Sequence, residues 1–255
     1  MYRLTPSRRD LLKLGCFGAA SLALGCGDNE GEADTGARHA TAILEPEADS
    51  LVVAVWSATA RSVAIEIRTA DTIVTTAAAE LDDAQRAAIE VGELAPGTAY
   101  QVTIMTDTGA RIVHHARTAP APDDPRPIRF AISADIDPSP EFESDIMEQV
   151  AAASPDLYIS LGDFPYTDNG PPADTVEEYR ARHAAARTSP HVRAMLRAVG
   201  VRAIYDDHEF RNDWDEARRT AEASRYAAAM QAWDEFFPLR GAPTSSTARG
   251  GGARA

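Results

Sequence analysis

The chain has 255 residues, 44% apolar and 25% charged, enough apolar material for one or two globular domains. Its formal net charge of −14 excludes binding to a phosphate backbone through a positive field of its own, so no nucleic-acid partner is expected. The only cysteines, Cys16 and Cys26, lie near the N-terminus, which excludes a disulfide framework in the rest of the chain.

Ser7-Arg8-Arg9-Asp10-Leu11-Leu12-Lys13 is a twin-arginine pattern, and the small-residue apolar stretch behind it, Leu14 to Gly25, is too short to span a bilayer. Residues 1–26 are therefore read as a targeting signal for export by the twin-arginine route, to a periplasmic or extracellular location. Cys26 follows Ala23-Leu24-Gly25, which resembles a lipoprotein cleavage box. Two readings stand: a lipidated Cys26 that anchors the protein to a membrane face, or ordinary cleavage near Gly25. Residues 27–38 are polar, acidic and Gly-rich, a flexible tether.

Residues 39–120 read as an all-β unit. SLVVAVWS, SVAIEIRT, TIVTTAAAEL, YQVTIMTD and ARIVHHART are short β-type runs separated by polar turns at the spacing of a small sandwich. Leu94-Ala95-Pro96-Gly97-Thr98-Ala99-Tyr100 resembles the tyrosine corner of fibronectin type III domains, with Trp56 as the expected aromatic between the two sheets. His114 and His115 are adjacent in a strand and so face opposite ways; they cannot chelate one ion together and are expected as a surface pair.

Residues 121–127, proline-rich and acidic, mark a linker and domain boundary. From 128 to 240 the pattern becomes α/β. Strands are expected at Ile128–Ser133, Asp156–Leu161 and Val201–Tyr205. Helices are expected at Glu141–Ala153, at Thr175–Gly200 with a break near Ser189-Pro190, and at Arg218–Phe237. Continuous apolar strands alternating with helices imply a parallel sheet covered on both faces. Within the helices, Trp233, Phe236 and Phe237 have the spacing of a buried face, whereas His183, His191 and Glu177 to Arg182 read as solvated surface. Residues 241–255 carry no hydrophobic pattern and read as a disordered or aberrant tail.

The chemistry gathers where the strands end. Asp135 and Asp137 follow the first of these strands, Asp163 and Tyr166 the second, and Asp206, Asp207, His208, Glu209 and Asn212 the third. Ligands of open parallel sheets sit beyond the carboxyl ends of the strands. Like-charged carboxylates brought together there require cations or raise one another's pKa. An oxygen-rich donor set with one phenol and few imidazoles suits Ca²⁺, Mg²⁺, Mn²⁺ or Fe³⁺ better than a sulfur-rich zinc site does. The same Asp-Asp-His-Glu run could also be a helix cap followed by a solvated turn.

Gly162-Asp163-Phe164-Pro165-Tyr166 and Asp206-Asp207-His208-Glu209 resemble the GDxxY and DDHE blocks of PhoD-type alkaline phosphatases, within the calcineurin-like metallophosphoesterases. The order of leader, fibronectin-like domain and phosphoesterase domain is also similar to that family's. The resemblance implies that Asp163 bridges two metals, Tyr166 ligates one of them as a phenolate, and Asp207 and Asn212 are further ligands. It also implies that His208 is the catalytic imidazole. Asp137, Asp206 and Glu209 stand as additional ligands or as residues supporting the ligands.

Two departures from the family pattern matter. The family's first strand ends in Ser-Cys, where this chain has Ser133-Ala134-Asp135, so a hard carboxylate replaces a thiolate and favours Mg²⁺, Mn²⁺ or Ca²⁺ over iron. The family's later histidine block has no counterpart here. The expected fold is thus a fibronectin type III-like sandwich followed by the N-terminal half of a C-terminally truncated metallophosphoesterase domain, with an unpaired edge and an uncovered sheet face. The expected function is hydrolysis of phosphate monoesters or diesters. The competing expectation is a non-catalytic remnant or cell-surface binding module that lacks the later histidine ligands.

Overall fold

The structure, a computed structural model, describes residues 38–70, 72–137 and 145–238. The leader with Cys26, the tether up to residue 37, the start of the expected 141–153 helix and the 241–255 tail lie outside the described residues. Seven strands come first: β1 (His39–Leu44), β2 (Leu51–Ser57), β3 (Ser62–Thr69), β4 (Thr72–Glu80), β5 (Arg86–Val91), β6 (Ala99–Thr106) and β7 (Arg111–Arg117). The α/β part follows as β8 (Phe130–Ser133), α1 (Ile146–Ala153), β9 (Leu157–Ser160), α2 (Val176–Thr188), α3 (Pro190–Ala198), β10 (Val201–Ala203), α4 (Glu216–Ala221) and α5 (Ala223–Phe236).

The two parts share a sheet. Its strand order is β5-β2-β1-β10-β9-β8, and it packs on a second sheet of order β4-β3-β6-β7. At the junction β1 runs parallel to β10, with Leu44 opposite Val201 and the Glu45 N–H donating to the Val201 carbonyl at 3.1 Å. β1 and β2, HATAIL and LVVAVWS, are buried almost throughout rather than alternately, as strands covered on both faces must be. Ile43, Leu51, Val53 and Val55 face the other sheet together with Ile65, Val102 and Ile104. Ala40, Ala42, Leu44, Val52 and Ala54 face the helices, with Met195, Leu196, Trp233 and Phe236. Each such fully buried Ile, Leu or Val contributes roughly 1.5–3 kcal/mol.

Three expectations are corrected by this shared sheet. Trp56 packs on the helix side, not between the sheets, because its strand alternates it away from the sandwich core. His114 is not a surface residue. It is 0% exposed, and its ring joins Thr41 Oγ1 at 2.8 Å (Nε2) to the Leu196 carbonyl at 2.9 Å (Nδ1), so it bolts β7 and β1 to the end of α3. His183 is likewise fully buried, stacked on Phe236 in the helix core, while His191 pairs with Glu148. The tyrosine corner forms as expected, with the Tyr100 hydroxyl accepting from the Ala95 N–H at 2.7 Å.

The helices begin where the sequence puts their caps. Thr175 and Glu178 make a reciprocal capping box at the start of α2, and Ser189-Pro190 ends α2 and opens α3. The expected long helix near the C-terminus is instead two, α4 and α5, separated at Glu222. Helices α1, α2 and α3 cover one face of the shared sheet. On the opposite face Phe130, Ile132, Leu161 and Ile204 are exposed, and among the described residues β8 is an edge strand.

Candidate active site

Adjacent parallel strands β9 and β10 deliver the two motif loops to the same end of the sheet, in the register Tyr158–Val201, Ile159–Arg202 and Ser160–Ala203. The chain leaves β9 through Gly162 and Asp163, both at positive φ (+115° and +56°). A side chain at 162 is excluded twice over, by that φ and because a Cβ there would lie 2.6 Å from the Asp206 Cβ and 2.8 Å from its backbone nitrogen. The glycine of GDxxY is therefore what lets the two loops touch.

A buried carboxylate then ties them. Glu209 is 1% exposed and accepts from the Phe164 N–H at 2.7 Å and the Asp206 N–H at 2.9 Å, one from each loop. Burial pushes its pKa up to about 7 even though those donors favour the charged form. Glu209 thus braces the two loops from behind, and Asp206 contributes its backbone while its side chain is exposed.

Asp163, Asp207 and His208 converge, with ligand atoms all within 4.8 Å of one another. Asp163 is 7% exposed and accepts from the His208 N–H at 3.3 Å. Burial first, and the neighbouring Asp207 charge after it, raise the Asp163 pKa. His208 is held from behind, its Nδ1 2.8 Å from Asp168 Oδ1, while Asp168 Oδ2 accepts from the Asn212 N–H at 2.7 Å. Desolvation pulls the imidazole pKa down, but the carboxylates of Asp168, Asp163 and Asp207 outweigh it, and the net shift is upward.

Tyr166 lies over the His208 ring, centroids 4.2 Å apart, and its hydroxyl donates to Asp135 Oδ1 at 2.8 Å. Burial, then that bond and the nearby Asp163 charge, raise the phenol's pKa. Asp135 reaches the cluster through Tyr166, and Asp137 accepts from the Asn169 side chain. The Asn212 side chain donates to Asp213 Oδ2 at 3.0 Å, and the Asp213 N–H in turn donates to Asp207.

Of the residues singled out from the sequence, Asp163, Asp207 and His208 form the centre, with Tyr166 and Asp135 beside it. Asp137, Asp206, Glu209 and Asn212 form its surroundings. Sequence reasoning missed Asp168, Asn169 and Asp213. Asp168 had a local signal, since it follows Tyr166 by two residues in the same loop and an imidazole held in one orientation needs a partner on its second nitrogen.

Residues 139–250 match the family model of PhoD-like phosphatases. Over 173 residues the chain is 28% identical to alkaline phosphatase D of Bacillus subtilis (strain 168), covering 60% of this chain and 30% of that protein. A solved structure of PhoD overlays with a TM-score of 0.70 at 24% identity, covering 80% of this chain and 46% of that one. Over residues 139–250 the chain is similar to PhoD-like phosphatases. It spans less than half the length of these relatives. The overlay carries the fold alone, and the motif loops fall within the matched segment.

Proposed function

We propose that this chain carries the metal-binding and catalytic loops of a phosphoesterase that hydrolyses phosphate monoesters or diesters. The observation that supports it most is the convergence of Asp163, Asp207 and His208, with Asp168 holding the far side of the imidazole. The donor chemistry fits a cation: two carboxylates lie within 4.8 Å of each other with a third, Asp135, bonded to the neighbouring Tyr166 hydroxyl, an arrangement that repels itself without positive charge. Asp163 and Asp207 would hold the metal, with Asp135, Tyr166 and Asn212 as further ligands of a pair. Ca²⁺, Mg²⁺, Mn²⁺ and Fe³⁺ all suit the oxygen donors. A metal bound there would polarise the phosphoryl oxygens and activate a water.

The residues themselves supply orientation and a proton. Asp168 fixes the His208 ring through Nδ1 and leaves Nε2 for the substrate. As water forms the new P–O bond and the ester P–O bond breaks, the leaving oxygen takes the Nε2 proton, and the proton lost by water passes to solvent. Calorimetric titration with Mn²⁺, alongside turnover of p-nitrophenyl phosphate, tests the proposal. Asp163→Asn should abolish both on a folded protein, and unchanged turnover would overturn it.

The exposed apolar face of β8 to β10 favours a second reading, a non-catalytic module that presents this face to a partner. A purified chain that binds no Mn²⁺ would favour that reading. The proposal extends to residues 1–26 as a twin-arginine leader with a lipidated Cys26, checked by fusing them to an export reporter and replacing Cys26 with Ser.

A further inference from the structure

Directly beneath the GDFPY loop lies a charge with no counter-charge. Arg187, in the last turn of α2, is 3% exposed, and among the described residues no carboxylate pairs with it. Its guanidinium donates to the His183 carbonyl at 3.2 Å and the Phe236 carbonyl at 3.4 Å, and it contacts His183 Nδ1 at 3.1 Å. Three aromatic rings surround it, with centroids at 5.1 Å (Phe164), 4.9 Å (Phe236) and 4.3 Å (Phe237). A cation in such a box is held by the rings' quadrupoles, and it in turn restrains them, more strongly when desolvated.

Phe164 is the ring that matters. It is 0% exposed, meets Phe237 edge-on at 5.7 Å, and follows Asp163 directly in the chain. Its backbone N–H is one of the two bonds that Glu209 makes between the loops. A buried arginine without a carboxylate is costly for stability and is readily replaced by apolar bulk. Its presence under this loop calls for another reason.

We infer that Arg187 is a positioning residue for Asp163: its guanidinium clamps the Phe164 ring against Phe237 and so fixes the backbone from which the Asp163 carboxylate reaches Asp207 and His208. For its consequence on metal binding the inference rests on the phosphoesterase reading of the site; for loop order it does not.

The test is Arg187→Met in the full chain, which keeps the bulk and removes the charge. Amide exchange at Phe164 should quicken about tenfold while β3, β6 and β7 keep their protection. The Mn²⁺ affinity should fall about tenfold. Arg187→Lys, which keeps a cation over the ring, should restore both. Unchanged exchange at Phe164 in a folded Arg187→Met protein would overturn the inference, as would faster exchange spread evenly over all elements, the mark of a merely structural role. If Arg187→Met does not fold, Arg187→Lys decides: slow exchange at Phe164 supports the clamp, and fast exchange in a folded protein sinks it. If the wild-type chain binds no Mn²⁺, the phosphoesterase reading falls, and exchange at Phe164 still decides the role of Arg187.

Discussion

The sandwich core and the strand-end loops belong to one continuous sheet and are held by opposite means. Between the sheets, Ile43, Val53, Ile65, Val102 and Ile104 form an apolar interior in which every residue is backed by several others. At the loops a few polar atoms do the work: Glu209 to two backbone N–H groups, Asp168 to His208 and Asn212, Tyr166 to Asp135. The sandwich should therefore set global stability and the loops local order, and substitutions in the two regions should separate cleanly.

The largest separation is expected at His208→Ala, which should lower kcat for p-nitrophenyl phosphate by about 10²–10⁴-fold. Circular dichroism and the unfolding midpoint should stay at wild-type values. Ile65→Ala is the converse: it should cost about 2–5 kcal/mol in urea unfolding while the Mn²⁺ affinity remains that of wild type. A shift in Mn²⁺ affinity on truncating Ile65 would show that the two regions are coupled. Glu209→Ala sharpens the comparison from the loop side. It leaves the Phe164 and Asp206 N–H groups without their acceptor, a loss of about 1–3 kcal/mol each where they stay dry, and should weaken Mn²⁺ binding about 10–100-fold.

Both regions were partly legible in the sequence. The GDxxY and DDHE runs sit at the ends of apolar strands, and the structure puts them together because neighbouring parallel strands β9 and β10 leave no other arrangement. The shared sheet was not legible. Its evidence was the unbroken burial of β1 and β2, and a short apolar run such as HATAIL looks the same in a sandwich and in an α/β core. His114 was misread for the same reason: a strand histidine is a surface residue only if its face has nothing on it, and here α3 covers it. Arg187 acts through Phe164, Phe236 and Phe237, distant in sequence, so no local pattern announces it.

The buried histidines offer a test of the junction itself. Burial lowers the His114 pKa to about 4, with Arg197 and His115 adding to the shift and the Leu196 carbonyl opposing it. Its folded pKa lies below the unfolded value near 6.5, so its contribution is complete above that value and is lost as pH falls toward 4. The loss amounts to about 3 kcal/mol over that window. His183, neutralised by burial and by Arg187, shifts the same way. Urea midpoints measured from pH 7 to pH 4 should fall accordingly, and His114→Gln should flatten the slope.

The smallest expected effect is at Thr175, and it shows whether helix α2 acts as a lever on the loop above it. Thr175→Ala removes one half of the capping box and should cost about 1 kcal/mol. That loss alone would be an ordinary helix effect. Because α2 also carries Arg187 beneath Phe164, fraying at its N-terminus reaches the site only if the helix moves as a rigid body. A 1 kcal/mol loss with unchanged Mn²⁺ affinity means that Arg187, anchored in the last turn by its own bonds to His183 and Phe236, insulates the loop from the rest of its helix. A parallel loss of affinity means that the helix core and the active-site loops unfold as one unit, and the line between the two regions then falls at the β1–β10 junction instead of at the strand ends.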